Sequence, residues 1–239
     1  MGGRGGSSHR GSSGGNGRYS RTTYQSLFRI ASRLGIHLNI DSLVRHQINP
    51  LFVHQTLSSV ANVYQHFPAM KGHVRYVDAN EFRSNAYASA GGDGGLHLGL
   101  YGRYSEAQME QSWNYAVRSG FHPKGSKYQS IFVHEMGHQM EAALNQKDFG
   151  NAWAWGRTAD KIVLEAARSI DSSITSLADP KVKRMASKIS GYAVSPDAGH
   201  IWKTWETLAE AVQDAYDNGS NATPLSREIW KILKRRLSE

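Results

Sequence analysis

The chain has 239 residues, no cysteine and a formal net charge of +8. That length buries one sizeable core, as a single domain or as two lobes around a cleft, and the missing thiols exclude both a disulfide framework and a cysteine-ligated metal site. No run approaches the roughly 20 apolar residues that span a bilayer, and the first residues lack the apolar stretch of a signal peptide, so a cytoplasmic setting without a membrane partner is expected.

Residues 1–20 read as a disordered tail rich in Gly, Ser and Arg, with too few apolar side chains to offset the entropy of ordering. Arg4, Arg10 and Arg18 make it basic, so it can touch nucleic acid weakly, although a plain solubilising linker fits as well. The domain proper is expected over 21–239. Tyr24 to Leu34 is plausible helix. Asn49-Pro50 reads as an N-cap with proline in the first helical position, followed by the core stripe Leu51, Phe52, Leu57, Val60 and Tyr64. His73 to Asp78, Tyr87 to Ala90 and Leu96 to Leu100 are strand candidates. The last two are separated by Gly91-Gly92-Asp93-Gly94-Gly95, which is strong turn chemistry. Asn151 to Ser176 is a helix-rich connection, Asp179-Pro180 starts a helix to Lys188, and Trp205 to Tyr216 is another. A terminal helix carries Leu225, Ile229, Trp230, Leu233 and Leu237 on one side and Lys231, Lys234, Arg235 and Arg236 on the other.

The most informative run is His134-Glu135-Met136-Gly137-His138. Residues four apart on a helix sit one turn above each other, so both imidazoles can reach one Zn²⁺ at about 2.0–2.1 Å. Glu135, one step round the helix, is placed to hold and deprotonate a water on that metal. By accident such a run arises in roughly one chain of this length in a hundred. Its context makes accident rarer still: Phe132, Val133, Met136, Met140, Ala143 and Leu144 cluster opposite the histidines on a helical wheel. Gly137, a poor helix former, leaves room for a close approach beside the metal.

Catalytic zinc usually takes a third protein ligand and keeps one position for water. A histidine six residues after the second motif histidine, with a glycine midway, is excluded, because Leu144 and Glu141 stand there. The helix around 205–216 offers Glu206 and Glu210 on one face, with Leu208, Ala211, Val212 and Ala215 on another. Taken alone, that pair reads more simply as a solvated acidic face.

Gly120-Phe121-His122-Pro123-Lys124-Gly125-Ser126, the His-Glu-Met-Gly-His motif, Ile189-Ser190-Gly191-Tyr192-Ala193 and Glu206-Thr207-Leu208-Ala209-Glu210 resemble the anthrax-lethal-factor-like gluzincins. The similarity is closer to versions found in phage minor head or capsid-associated proteins. It covers about residues 24–238, with the specific motifs in 120–141 and 189–216. It implies an α+β, zincin-like metallopeptidase fold with a small mixed sheet, an active-site helix and a helix-rich C-terminal half. It implies Zn²⁺ held by His134, His138 and Glu206, with Glu135 as general base and Glu210 supporting the ligands from behind. Tyr192 corresponds to a tyrosine whose hydroxyl stabilises the oxyanion. Here the stretch from Tyr192 to Glu206 is longer than in the family, as if Asp197–Lys203 were inserted, and His200 is the alternative donor. The resemblance also makes Leu96, His97, Leu98, Gly99 and Leu100 the sheet edge along which an extended peptide lies, although an ordinary internal strand fits those residues too. His97 itself reads as a packed or surface histidine, and His122 as part of the turn before the helix.

The expected activity is therefore zinc-dependent endopeptidase cleavage of a polypeptide substrate. The resemblance implies a phage-encoded, head-associated protein in the host cytoplasm or virion, with other head proteins as partners. Two other readings stand beside it: a structural head protein with a non-catalytic zinc site, and a nucleic-acid-associated protein using its basic termini.

Overall fold

The computed structural model describes residues 19–80, 86–197 and 201–239. The predicted tail thus lies almost wholly outside the described residues, and its last two members already belong to the domain. Tyr19 donates its N–H to Gln47 Oε1 at 3.0 Å, and its ring meets Tyr24 edge-on.

Helix α1 spans Gln25–Arg33. Strand β1 (His37–Leu38) and helix α2 (Ile40–Arg45) follow, both too short to reveal themselves by hydrophobic period. Helix α3, Pro50–His66, starts as its sequence predicts: Asn49 Oδ1 accepts the Leu51 N–H at 3.0 Å and Pro50 fills the first turn. Its buried side chains Phe52, Val53, Leu57, Val60 and Val63 belong to the one hydrophobic core, where Phe52 meets Phe132 at 5.0 Å between ring centroids.

Strands β2 (Tyr76–Ala79), β3 (Ala88–Ala90) and β4 (Gly95–Leu98) join β1 in a mixed sheet of order β1-β2-β4-β3. β2 is parallel to β1 and β4, while β3 returns antiparallel to β4. This corrects the expected substrate edge. β4 is paired on both sides, so Leu96, His97 and Leu98 offer no open ladder, and Gly99 and Leu100 lie past its end. The reason is apolar content: Leu96 and Leu98, 0 % exposed, take the inner position, and the small Ala-Ser-Ala arm of the hairpin is left outside. Among the described residues β1 and β3 are the two edges, and β3 is the one that packs against helix α5 (Ile131–Phe149). Gly99 serves the hairpin rather than a substrate. A Cβ there would collide with the Ala86 carbonyl, and the Gly99 N–H donates to Tyr87 O at 2.8 Å.

Helix α4, Glu106–Arg118, lies in a stretch where hydrophobic pattern marks no element. Its signal is local, a capping box in which Gln108 N–H reaches Ser105 Oγ and Ser105 N–H reaches Gln108 Oε1 at 3.0 Å. The rest is helical: α5, α6 (Arg157–Ile170), α7 (Pro180–Ser187, capped by Asp179), α8 (Thr204–Asn218) and α9 (Pro224–Ser238). α5 packs most extensively on α8, and α6 and α9 close the far side of α8. The single apolar face expected of α5 is thereby corrected: from Ile131 to Asn145 every residue is buried except His138. A helix covered by α3 and β3 on one side and α8 on the other has no solvent face. α9 docks by Leu225, Ile229 and Leu233, and its basic side is tied down, Arg235 to Glu165 at 2.5 Å and Arg236 to Asp148. Among the described residues no helix is long and apolar enough to cross a membrane.

Candidate metal centre

The site exists because α5 and α8 cross closely. A Cβ on Gly137 would stand 2.7 Å from Ala209 Cα and 3.2 Å from Ala209 Cβ, so the bare glycine is what admits the α8 backbone. The space that the sequence predicts beside Gly137 is filled by this helix. Glu206 lies three residues before Ala209, one turn back along α8, and its carboxylate falls beside the histidine pair.

Three ligand atoms converge there. His134 Nε2 and His138 Nε2 are 3.2 Å apart, and Glu206 Oε2 is 3.4 Å from each. Neighbouring ligands on a tetrahedral ion with bonds of about 2.0–2.1 Å stand about 3.3–3.4 Å apart, so the triangle matches one face of such a shell. Glu206 Oε2 is buried with no hydrogen-bond partner in the described structure, an arrangement that a cation resolves. His134, His138 and Glu206 can therefore hold a metal ion. The solvated-face reading of Glu206 and Glu210 fails, since they are 7 % and 0 % exposed.

Behind the triangle sits Glu210. Its Oε1 lies 2.9 Å from His134 Nδ1 and 3.0 Å from His122 Nδ1, and Ser190 Oγ donates to its Oε2 at 2.6 Å. A carboxylate on the far nitrogen fixes ring orientation and raises ligand basicity. Burial works against ionisation of Glu210, but His122 and His134 outweigh it and bring its pKa down to about 2. Burial likewise opposes ionisation of Glu206, and His138 and His134 hold it below the usual carboxylate range. His134 moves the other way. Burial disfavours its charged form, yet Glu206 and Glu210 raise its pKa well above that of a free imidazole. A proton and a cation compete for that nitrogen.

Glu135 is 7 % exposed, and burial raises its pKa, with Glu206 adding to burial against the pull of His134 and His138. One turn further on, Gln139 Nε2 donates to Gly91 O and Gly95 O at 3.0 Å each, pinning the β3–β4 hairpin alongside this face of α5. On that hairpin His97 Nδ1 meets Asp78 Oδ1 at 2.7 Å. The hydrogen bond to Asp78 raises the His97 pKa against burial, and the field of Glu135 adds to it.

Tyr192 reaches the site despite the longer stretch before Glu206. Lys203 N–H donates to Ser195 O at 3.0 Å, so the extra residues leave and return at one point. Gly191 and Tyr192 donate their N–H groups to Gly120 O and Phe121 O at 2.7 and 3.1 Å. The Tyr192 ring stacks on Phe121 at 5.0 Å and on His134 at 5.8 Å. Burial, then Glu206, Glu135 and Glu210, raise its pKa beyond the ordinary phenol range, so it stays a neutral hydroxyl donor. His200 lies outside the described residues.

The Gly120-Phe121-His122 run thus does more than shape a turn: its carbonyls seat Tyr192, and His122, stacked on Trp113 at 4.1 Å, grips Glu210. Sequence reasoning gave no chemical role to His122, Ser190, Asp78 or His97. For the first two the signal lay in their motifs, and for the Asp78–His97 pair only the fold brings the partners together. No family model, curated protein or solved structure matches the chain.

Proposed function

We propose that the chain is a zinc-dependent endopeptidase of the lethal-factor-like gluzincin kind. The observation that carries this reading is the triangle of His134, His138 and Glu206 with edges of 3.2, 3.4 and 3.4 Å, with Glu135 buried on the same helix. Two imidazoles and one carboxylate are the donor set that catalytic zinc uses. A zinc ion held there supplies Lewis acidity, acidifying a water and polarising the scissile carbonyl. Glu135 accepts the proton of the attacking water on its carboxylate and returns it to the leaving amine. Tyr192 Oη donates to the oxygen that becomes negative. Glu210, itself gripped by His122 and Ser190, keeps the His134 ring in place. An extended polypeptide would pair with β3, the sheet edge beside α5, rather than with β4. The motif resemblance supports a phage head setting, with other head proteins as partners. The nucleic-acid reading loses support, because Arg235 and Arg236 at the C-terminus are both paired with carboxylates.

The test is digestion of a peptide library by zinc-loaded, metal-verified protein, with and without chelator. Glu135→Gln is expected to keep zinc and lose cleavage, and His138→Ala to lose both. Cleavage by the Glu135→Gln protein refutes the assignment of the base. Tight zinc binding without any cleavage by the parent protein refutes the peptidase.

A further inference from the structure

Three of the chain's six tryptophans gather beside the metal centre. Trp155 meets His138, the least buried of the three ligands with its side chain 12 % exposed, with ring centroids 6.1 Å apart. Trp153 meets Trp155 edge-on at 6.1 Å and is 56 % exposed. Trp205 lies against Gly156 at the end of the same loop. The loop that carries the first two is held firmly. Glu141 of α5, itself 0 % exposed, accepts the Gly156 and Ala159 N–H groups at 2.8 and 3.2 Å. Asn151 Oδ1 accepts the Trp153 N–H at 3.0 Å, and the Trp155 N–H donates to Trp153 O at 2.8 Å. A large apolar ring kept exposed on an anchored loop is the composition of a binding wall, not of a fraying surface.

Its placement says what it would hold. The Trp153 ring lies against Gly92 in the β3–β4 turn, where a Cβ would stand 2.8 Å from the ring. The aromatic surface therefore runs from the end of the open strand β3 to the metal ligand His138. A chain paired on β3 sends alternate side chains to each face, and those reaching this wall meet indole rings. Of the polar side chains that flank the pair in sequence, Asn151 is turned inward to the loop backbone and Arg157 lies over the Phe149 ring at 5.5 Å, which disfavours a hydroxyl-rich ligand such as a saccharide.

We propose that Trp153 and Trp155 wall a substrate pocket for a large apolar side chain of the peptide beside the bond cleaved. The pocket rests on the peptidase reading above. The test uses zinc-loaded protein and paired peptides that differ only in Leu or Ala at each position flanking the cleaved bond. At one position the kcat/KM ratio of Leu over Ala is expected to be roughly 10-fold or more. Trp153→Ala brings that ratio close to unity, and Trp153→Phe retains most of it. Gly92→Ala, whose new Cβ pushes the ring aside, lowers it as well, whereas Tyr115→Ala, an exposed aromatic on α4, leaves it alone. A second readout needs no turnover: in zinc-loaded Glu135→Gln protein the Leu peptide shifts tryptophan emission, and adding Trp153→Ala removes the shift. Equal ratios in parent and Trp153→Ala protein overturn the pocket and leave the peptidase standing. An emission shift with an N-acetylglucosamine oligomer and none with peptides overturns it in favour of a saccharide. Neither binding nor cleavage of any peptide by metal-verified protein overturns both readings.

Discussion

Replacing Gly137 by alanine tests whether the helix crossing makes the metal site. The added Cβ would meet Ala209 Cα at 2.7 Å, Ala209 Cβ at 3.2 Å and Val212 Cβ at 3.4 Å. Carbon atoms settle at about 3.5–4.0 Å, so α8 must retreat by about 1 Å. Glu206 rides on α8 one turn away, and a retreat of that size would open its 3.4 Å separations from the histidines past 4 Å, wider than one tetrahedral ion can bridge. Overpacking of this kind costs about 1–3 kcal/mol. Alanine returns about 1 kcal/mol through its better helix propensity, so a net loss near 1 kcal/mol is expected, or about 2–4 °C in the melting temperature of a domain this size. Zinc affinity is expected to fall roughly 10–100-fold, as when a ligand loses its support. Competition against a chromophoric chelator measures the affinity, and calorimetry of the metal-free protein measures the stability. Unchanged zinc affinity in a folded Gly137→Ala protein would show that the close crossing does not position Glu206.

Three further outcomes follow from the same geometry. His122→Ala strips Glu210 of one of its three partners and is expected to weaken zinc binding about 10-fold although His122 touches no metal; an unaltered affinity in the chelator assay contradicts this. Tyr192→Phe is expected to lower kcat about 10²–10³-fold with zinc binding intact, and full activity would remove Tyr192 from the oxyanion role. Burial raises the Glu141 carboxyl from 4.5 to about 7, so its contribution to stability is full below the unfolded value and is lost as pH rises through about 7. Glu141→Gln, whose side-chain oxygen can still accept from Gly156 and Ala159, is expected to gain up to about 3 kcal/mol over the parent at pH 8 and little at pH 4; denaturant titrations with the same pH dependence in both proteins would refute this.

How much of this was legible in the sequence depends on whether the information is local. The His134–His138 pair is local, since one helical turn sets its spacing, and so are the caps at Asn49 and Asp179. Leu208, Ala211 and Val212 marked the inner face of α8 by their period. Strand order is not local. Nothing in residues 87–100 says which arm of the hairpin turns inward; that depends on whether β2 and the core prefer Leu96 and Leu98 to Ala88 and Ala90. The same limit hid the meaning of Gly137, whose missing side chain signals a neighbour only when that neighbour is known. α4 went unseen because its buried residues, Met109 and Trp113, are too few to make a period. The sheet edge came from a resemblance rather than from the residues, and there the structure departed from expectation.

Buried charge gives an independent reason to regard the centre as built for a cation. Glu206 and Glu210 are both held ionised in a place where an uncompensated carboxylate is strongly destabilising. Hydrophobic residues of the same size would make α8 pack on α5 at no such cost, so the pair is not explained by stability. Without a metal ion the neighbouring imidazoles offset that charge, His122 and His134 beside Glu210 and His138 and His134 beside Glu206. A dication with neutral imidazoles balances both carboxylates and satisfies the lone oxygen of Glu206 that no hydrogen bond reaches. That balance would also leave Glu135 beside a net neutral centre, so that as the base proposed above it would not be held ionised by an excess of positive charge and could release its proton to a leaving amine. A centre with one fewer carboxylate would bind its ion more weakly and would hold the proton on Glu135 more poorly. Charge neutrality thus ties the support residue Glu210 to the chemistry proposed for Glu135, although the two side chains do different work.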